Sequence, residues 1–329
     1  MTAPLLEVRD LTKHFVTHGG LLSRARRVIR AVDGVSFAVA EGETLGLVGE
    51  SGCGKSTLAK TLLFLERPTS GEIVFGGVRL TEEEAKGLRR RAQIVFQDPY
   101  ASLPPRMRVE RILADPLVIH GLADRSSRGA RVEQLLRDVG LKGDVTRKLP
   151  HQLSGGQRQR VGIARALSVQ PSLVVADEAV SSLDASVQAQ ILNLLKDLQG
   201  RHRLTYIFVS HDLRVVRYMS HRVAVMYLGE IVELAPADEL YLRPLHPYTT
   251  ALISAVPSLE ERGRRRIRLQ GEPPDPANPP LGCKFHPRCP LATELCARQA
   301  PPLREIERGR WSACHYAEEV PERMGRAAA

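Results

Sequence analysis

The run Gly49-Glu50-Ser51-Gly52-Cys53-Gly54-Lys55-Ser56 fits the pattern G-x-x-x-x-G-K-[ST] and constrains this chain more than any other feature. A compact apolar run, Leu45 to Val48, precedes it, and apolar positions at Leu58, Leu62 and Leu65 follow at helical spacing. Strand, glycine-rich loop and helix therefore come in the order that a phosphate cradle requires. The glycines let backbone N–H groups turn toward phosphate oxygens, and the helix start near Lys55 adds its positive dipole end. Lys55 is suited to neutralise the β- and γ-phosphates of a nucleotide and the Ser56 hydroxyl to ligate Mg²⁺, with Thr57 completing the ATP-binding run from Gly49. Cys53 occupies a variable slot and reads as a small filler with no redox role.

A strand feeding a helix needs a sheet to join. Short apolar or alternating runs recur at 5–9, 35–48 (with a turn at Gly42), 173–176 and 205–209, and 222–227 with 230–234 reads as a hairpin turning at Gly229. Helical spacing fills Val109 to Leu117, Arg131 to Val139, Gln157 to Leu167 and Val187 to Leu198. Strands alternating with helices predict an α/β fold with a mainly parallel core sheet and an inserted helical block. Beyond about residue 250, Pro273, Pro274, Pro276, Pro279 and Pro280 read as a stiff connector to a distinct C-terminal segment. The start, MTAPLLEVRD, lacks a secretory pattern, and no run of 18 apolar residues occurs. The expected location is therefore cytoplasmic.

Two further elements carry chemistry. Leu173-Val-Val-Ala-Asp177-Glu178 is an apolar strand ending in paired carboxylates. Such a strand delivers both side chains to the C-terminal edge of a parallel sheet, where Asp177 can hold magnesium and Glu178 can polarise an attacking water. Leu153-Ser154-Gly155-Gly156-Gln157 opens a basic helix, with Ser154 as N-cap and two glycines exposing N–H groups: a second anion site.

LSGGQ at 153–157, between the phosphate loop and the Asp177-Glu178 pair, is the signature of the ABC ATPases, and the chain resembles that family over nearly its whole length. The resemblance implies a P-loop NTPase ABC ATPase fold with an antiparallel β subdomain. It assigns Gln97 as a magnesium contact that senses a transmembrane partner, Ser181-Ser182-Leu183-Asp184 as the D-loop, His211 as the γ-phosphate switch and Phe15 as the adenine-stacking aromatic. His14 is a rival for that last role, though its side chain should point the other way. Ala179 stands where the family usually has proline, which implies slightly altered local stiffness; the carboxylates are intact, so active hydrolysis is expected. The expected domains are 1–255, with a helical subdomain over about 98–168, and an extension over 256–329. Each ATP would be shared, the signature of one subunit closing over the phosphate loop of another.

The late motifs from Tyr241 to Thr249 and from Gly282 to Pro290 are similar to the oligopeptide/dipeptide/nickel importer branch, and 179–190 to its F-type member. That branch implies a D-type ABC ATPase partner, two transmembrane permease subunits, and indirectly a periplasmic or lipoprotein solute-binding protein. The place of work would be the cytoplasmic face of the bacterial inner membrane. Di- or oligopeptides are the expected cargo, with nickel, opines or sugars open. A soluble ABC ATPase acting on ribosomes or DNA is the rival reading. The net charge of +10, with basic clusters at Arg24, Arg26, Arg27, Arg30 and from Arg262 to Arg268, leaves it open. No nucleic-acid-binding motif accompanies them, and none is expected as a partner.

Cys283, Cys289, Cys296 and Cys314 are separated by five, six and seventeen residues. Clustered thiols in a cytosolic chain point to a metal or cluster before disulfides. The resemblance implies a [4Fe–4S] cluster; zinc, with His286 and His315 nearby, or no metal remain open.

Overall fold

The computed structural model describes residues 3–18, 26–255, 267, 269 and 271–328, in two compact units. Arg24, Arg262, Gly263, Arg264, Arg265, Arg266 and Arg268 lie outside the described residues.

One unit comprises Val39–Thr44 and Leu80–Val209. Its strands Ala92–Val95, Leu173–Asp177 and Thr205–Val209 run parallel in that order, with Leu173–Asp177 in the middle, facing Ala92 at one side and Thr205 at the other. Every residue of the last two strands is buried, as their unbroken apolar sequences require of strands covered on both faces. Around them stand Val109–Ile119, Arg128–Asp138, Gly155–Leu167 and Ala185–His202, close to the four helical spacings read from sequence.

The other unit comprises Ala3–Ala38, Leu45–Arg79 and Ser210–Ala329. Leu6–His18 and Ser70–Phe75 pair antiparallel, flanked by Arg26–Val39 and Val78–Arg79. Leu45–Val48 pairs in parallel with Arg222–Val225, and the hairpin at Gly229 forms as predicted. The helix after the phosphate loop is shorter than its apolar spacing suggests. It ends at Leu62; Phe64 turns left-handed (φ 52°), leaving Leu65 half exposed. Arg26, Arg27 and Arg30 of the first basic cluster lie on the long strand Arg26–Val39. That strand ties down the proline-rich connector, through Arg27 to Asp275 and through the Arg30 N–H donated to Pro276 O (3.3 Å).

The extension adds strands too. Arg310–Ser312 pairs with Glu233 and Leu234, and Arg304–Glu307 forms the next edge. Among the described residues no helix is long and apolar enough to cross a membrane.

One buried polar group shapes the approach to the phosphate loop. Glu233, at a bulge in the hairpin, accepts the N–H groups of Leu245 (2.7 Å) and His246 (3.0 Å). His246 Nδ1 in turn accepts the Tyr248 N–H, capping the helix Pro247–Ser254. Burial pushes Glu233 up to about 7 and His246 down to about 3. The two act oppositely on stability. Glu233 contributes fully below its ordinary value of 4.5 and loses that contribution as pH rises to about 7. His246 contributes fully above 6.5 and loses it as pH falls toward about 3. His246→Asn keeps a capping acceptor and removes one slope. Relative to wild type, its thermal midpoint should rise as pH falls from 6.5 to 4.5, and parallel curves would contradict the assignment.

Candidate active site

The phosphate loop is built by backbone that only glycine tolerates at two positions. Gly49 (φ 154°) and Gly54 (φ 109°) lie so close to neighbouring chain that an added Cβ would stand 2.2 Å from Met226 O and 2.0 Å from Ala31 O. Lys55 is buried and curls back over the loop, donating to Gly49 O (2.8 Å) and Glu50 O (2.9 Å). The ammonium is thereby stored at the loop's centre, while Ser56, one residue on, is exposed. Cys53 is buried, and burial raises its thiol, so it stays protonated and inert, in keeping with a filler.

His211 follows Ser210, whose N–H donates to Leu47 O (3.3 Å) beside the strand that feeds the loop. Asp212 caps the next helix through the Arg214 N–H and pairs with the Arg214 side chain. His14 and Phe15 have different surroundings. The His14 ring meets Asp33 at 3.0 Å, whereas the Phe15 ring is half-buried with Lys13 Nζ 4.8 Å above it. These groups, the loop and Phe15, all belong to the second unit.

The remaining residues belong to the first. Asp177 ends its strand buried. Glu178 adopts a left-handed backbone (φ 48°), rare for a non-glycine residue. Its N–H donates to Val209 O (3.0 Å), and its own carbonyl accepts from both the N–H and Oγ of Ser181. Backbone held this way, at the end of a buried strand, is a mark of functional sites. Ser182 Oγ donates to Gln97 O (3.4 Å), joining the 181–184 turn to Gln97.

LSGGQ is a helix start with a complete capping box. Ser154 Oγ accepts the Gln157 N–H (3.2 Å) and Gln157 Oε1 accepts the Ser154 N–H (3.1 Å). Gly155 faces Leu183, and a Cβ on Gly156 would stand 2.6 Å from Val187. The signature, the 181–184 turn and the helix capped by Asp184 are thus packed together. Arg158 stacks on Tyr100 at 3.5 Å, and Arg165 Nη1 donates to Ser102 O (2.5 Å), fastening the segment after Gln97 to the signature helix.

The Glu50 N–H donates to Tyr248 Oη (2.8 Å), a contact to the phosphate loop that no sequence motif announces. Tyr248 lies 198 residues away, and no spacing rule reaches that far.

Cys283, Cys289, Cys296 and Cys314 line one small cavity of about 20 Å³ with His286, His315 and Phe285, and none forms a disulfide. Burial pushes Cys289 up to about 11 and Cys314 up to about 12, and raises Cys283. Among the described residues no three His, Cys, Asp or Glu side chains are set to hold a metal ion.

Residues 32–181 match the ABC transporter family, and 232–296 match the oligopeptide/dipeptide transporter C-terminal region. The oligopeptide transport ATP-binding protein AppF of Bacillus subtilis (strain 168) is 51% identical over 318 residues, 94% of this chain and 97% of that protein. The di/tripeptide transport ATP-binding protein DppF of Pseudomonas aeruginosa (strain UCBPP-PA14) is 49% identical over 319 residues, 96% and 98% of the two. A dimeric ATP-binding cassette bound to ADP and Pi, MJ0796, matches with a TM-score of 0.62 at 30% identity, over 70% of this chain and 98% of that one. Part of the cbiONQ ABC transporter complex, cbiO1 from Clostridium perfringens, gives 0.63 at 26%, over 73% and 92%. The ABC ATPase fold expected from the motifs is borne out, and with it ATP hydrolysis as the activity. The chain belongs to the ATP-binding proteins of the oligopeptide/dipeptide branch of ABC transporters.

Proposed function

We propose that this chain hydrolyses ATP to energise import of di- or oligopeptides, working as half of an ATPase dimer beneath a membrane permease. The observation that carries the cargo is its likeness along almost the whole chain to AppF and DppF, whose names assign them to oligopeptide and di/tripeptide transport. Residues 1–255 serve as the ATPase and 256–329 as its extension. Phe15 stacks on adenine; the loop from Gly49 to Thr57 holds the phosphates, with Lys55 on the β- and γ-groups. Ser56, Gln97 and Asp177 hold Mg²⁺, Glu178 is the general base, and His211 contacts the γ-phosphate. Leu153–Gln157 closes over the partner's nucleotide, and Ser181–Asp184 lies at the dimer seam. The partner ATPase is of the D type, and the assembly sits at the cytoplasmic face of the inner membrane, served by a solute-binding protein.

Extraction of the tagged chain from its own cells in mild detergent tests this. Two membrane-spanning proteins and a second ATPase should co-purify. Recovery with ribosomes or DNA instead would overturn the transporter reading.

Four cysteine thiols are the donor type and number that a [4Fe–4S] cluster takes. They line one small cavity, and none of them forms a disulfide. Zinc, held by the same thiols with His286 or His315 nearby, is the alternative occupant. Cys283, Cys289, Cys296 and Cys314 would be the ligands, and the cluster would tie together otherwise short elements. Anaerobically purified protein should be brown and contain about four irons and four sulfides per chain. A colourless, iron-free and well-folded sample would remove the cluster.

A further inference from the structure

The turn between the first two of these cysteines grips the phosphate loop. Gly282 (φ 67°) lets the chain approach the helix Glu294–Arg298 so closely that a Cβ would stand 2.4 Å from Cys296 O; the Cys283 N–H donates to that same carbonyl (2.8 Å). From this anchor three successive contacts run into the ATPase. Lys284 Nζ reaches Asp33 (2.8 Å), Glu230 (2.9 Å) and Leu228 O (3.1 Å). Phe285 is buried against Tyr227 and Tyr248, ring centroids 5.3 and 5.4 Å away. Arg288, at the end of the tight turn His286–Arg288, meets the Glu50 carboxylate with both terminal nitrogens, at 2.6 and 3.0 Å.

That last pair is unlike the surface ion pairs of the chain. The Arg288 side chain is 5% exposed and its contact is fork to fork, the geometry in which guanidinium and carboxylate fix each other's orientation. Glu50 is the second residue of the phosphate loop. Its side chain is held by Arg288, its N–H by Tyr248 and its carbonyl by Lys55. Every polar group of Glu50 is thereby committed, and two of these partners, Tyr248 and Arg288, come from beyond residue 240.

We infer that Arg288 is a positioning residue for the phosphate loop: by fixing Glu50 it holds the loop backbone in its nucleotide-ready shape, so that the cysteine-bearing extension sets ATP affinity. The inference rests on the loop binding ATP as proposed above. A loop ordered in advance does not have to be ordered by the ligand, so losing the clamp shows in binding before it shows in chemistry.

The test uses the full chain with its co-purified assembly and a fluorescent ATP analogue, in wild type, Arg288→Met, Arg288→Lys, Glu50→Gln, the double variant Arg288→Met/Glu50→Gln, and Lys55→Ala. Arg288→Met should weaken nucleotide binding and raise KM roughly tenfold while kcat falls much less, and the double variant should be no worse than the poorer single one. Arg288→Lys, which keeps the charge and loses the fork, should recover part of the affinity. Circular dichroism identifies any variant that fails to fold; should Arg288→Met do so, Arg288→Lys and Glu50→Gln carry the comparison. Wild-type affinity in folded Arg288→Met, or additive losses in the double variant, would overturn the inference. Lys55→Ala separates the two levels. If it binds nucleotide normally, the reading of the loop itself fails; if it alone loses binding, only the role of Arg288 falls.

Discussion

Glu178→Gln is expected to stop turnover while leaving ATP bound. The amide keeps the shape of the side chain but cannot take a proton from water, and a positioned general base is worth roughly 10²- to 10⁴-fold in rate. The substitution spares what holds the residue in place. The left-handed turn is fastened through backbone, by the Glu178 N–H to Val209 O and by Ser181 to the Glu178 carbonyl. Neighbouring Ala179 and Val180 are buried. Fold and nucleotide binding should therefore survive. Phosphate release and binding of a fluorescent ATP analogue, measured on one preparation, check both halves. Surviving turnover would show that another group activates the water.

Lys55→Ala carries the second large effect, and it acts on binding. The ammonium, donating to Gly49 O and Glu50 O, is the cation nearest the centre of the loop. Its removal costs the charge that would face the phosphates and also takes the ammonium's hydrogen bonds from Gly49 O and Glu50 O. Truncating one partner of a buried charge pair typically costs about 2–5 kcal/mol, or roughly 30-fold and upward in affinity. Titration with labelled nucleotide should show that loss. A loss of less than about twofold would mean that phosphate is held mainly by backbone N–H groups.

Much of the site is legible in the sequence because its parts are short and local. Gly49–Ser56, Leu153–Gln157 and Leu173–Glu178 each carry their geometry within a few residues, and the structure folds each as strand, loop or capped helix accordingly. What stayed hidden depends on distance or on a backbone angle. The left-handed turn at Glu178 leaves no trace in residue type, since the same carboxylate would suit an ordinary strand end. The motif from Tyr241 to Thr249 marked a branch of the family without explaining itself. Its physical content is Glu233 capping His246, and Tyr248 reaching the loop 198 residues earlier. Arg288 reaches the same residue across 238 positions. Arg304–Glu307 and Arg310–Ser312 are too short and too polar at the edge to announce themselves as strands; only the pairing of Arg310–Ser312 with Glu230–Pro236, and of Arg304–Glu307 with Arg310–Ser312, makes them so. The apolar spacing overstates the helix from Lys55 for the opposite reason: Leu65 continues it after Phe64 has already turned the chain.

The central claim is that ATP turned over at Glu178 drives peptides into the cell. Uptake of a labelled dipeptide or short oligopeptide by cells lacking this chain, complemented with either wild type or Glu178→Gln, tests it most directly. Wild type should restore uptake, and Glu178→Gln, present at equal abundance, should not. Uptake that is undiminished without the chain, or fully restored by Glu178→Gln, would contradict the account.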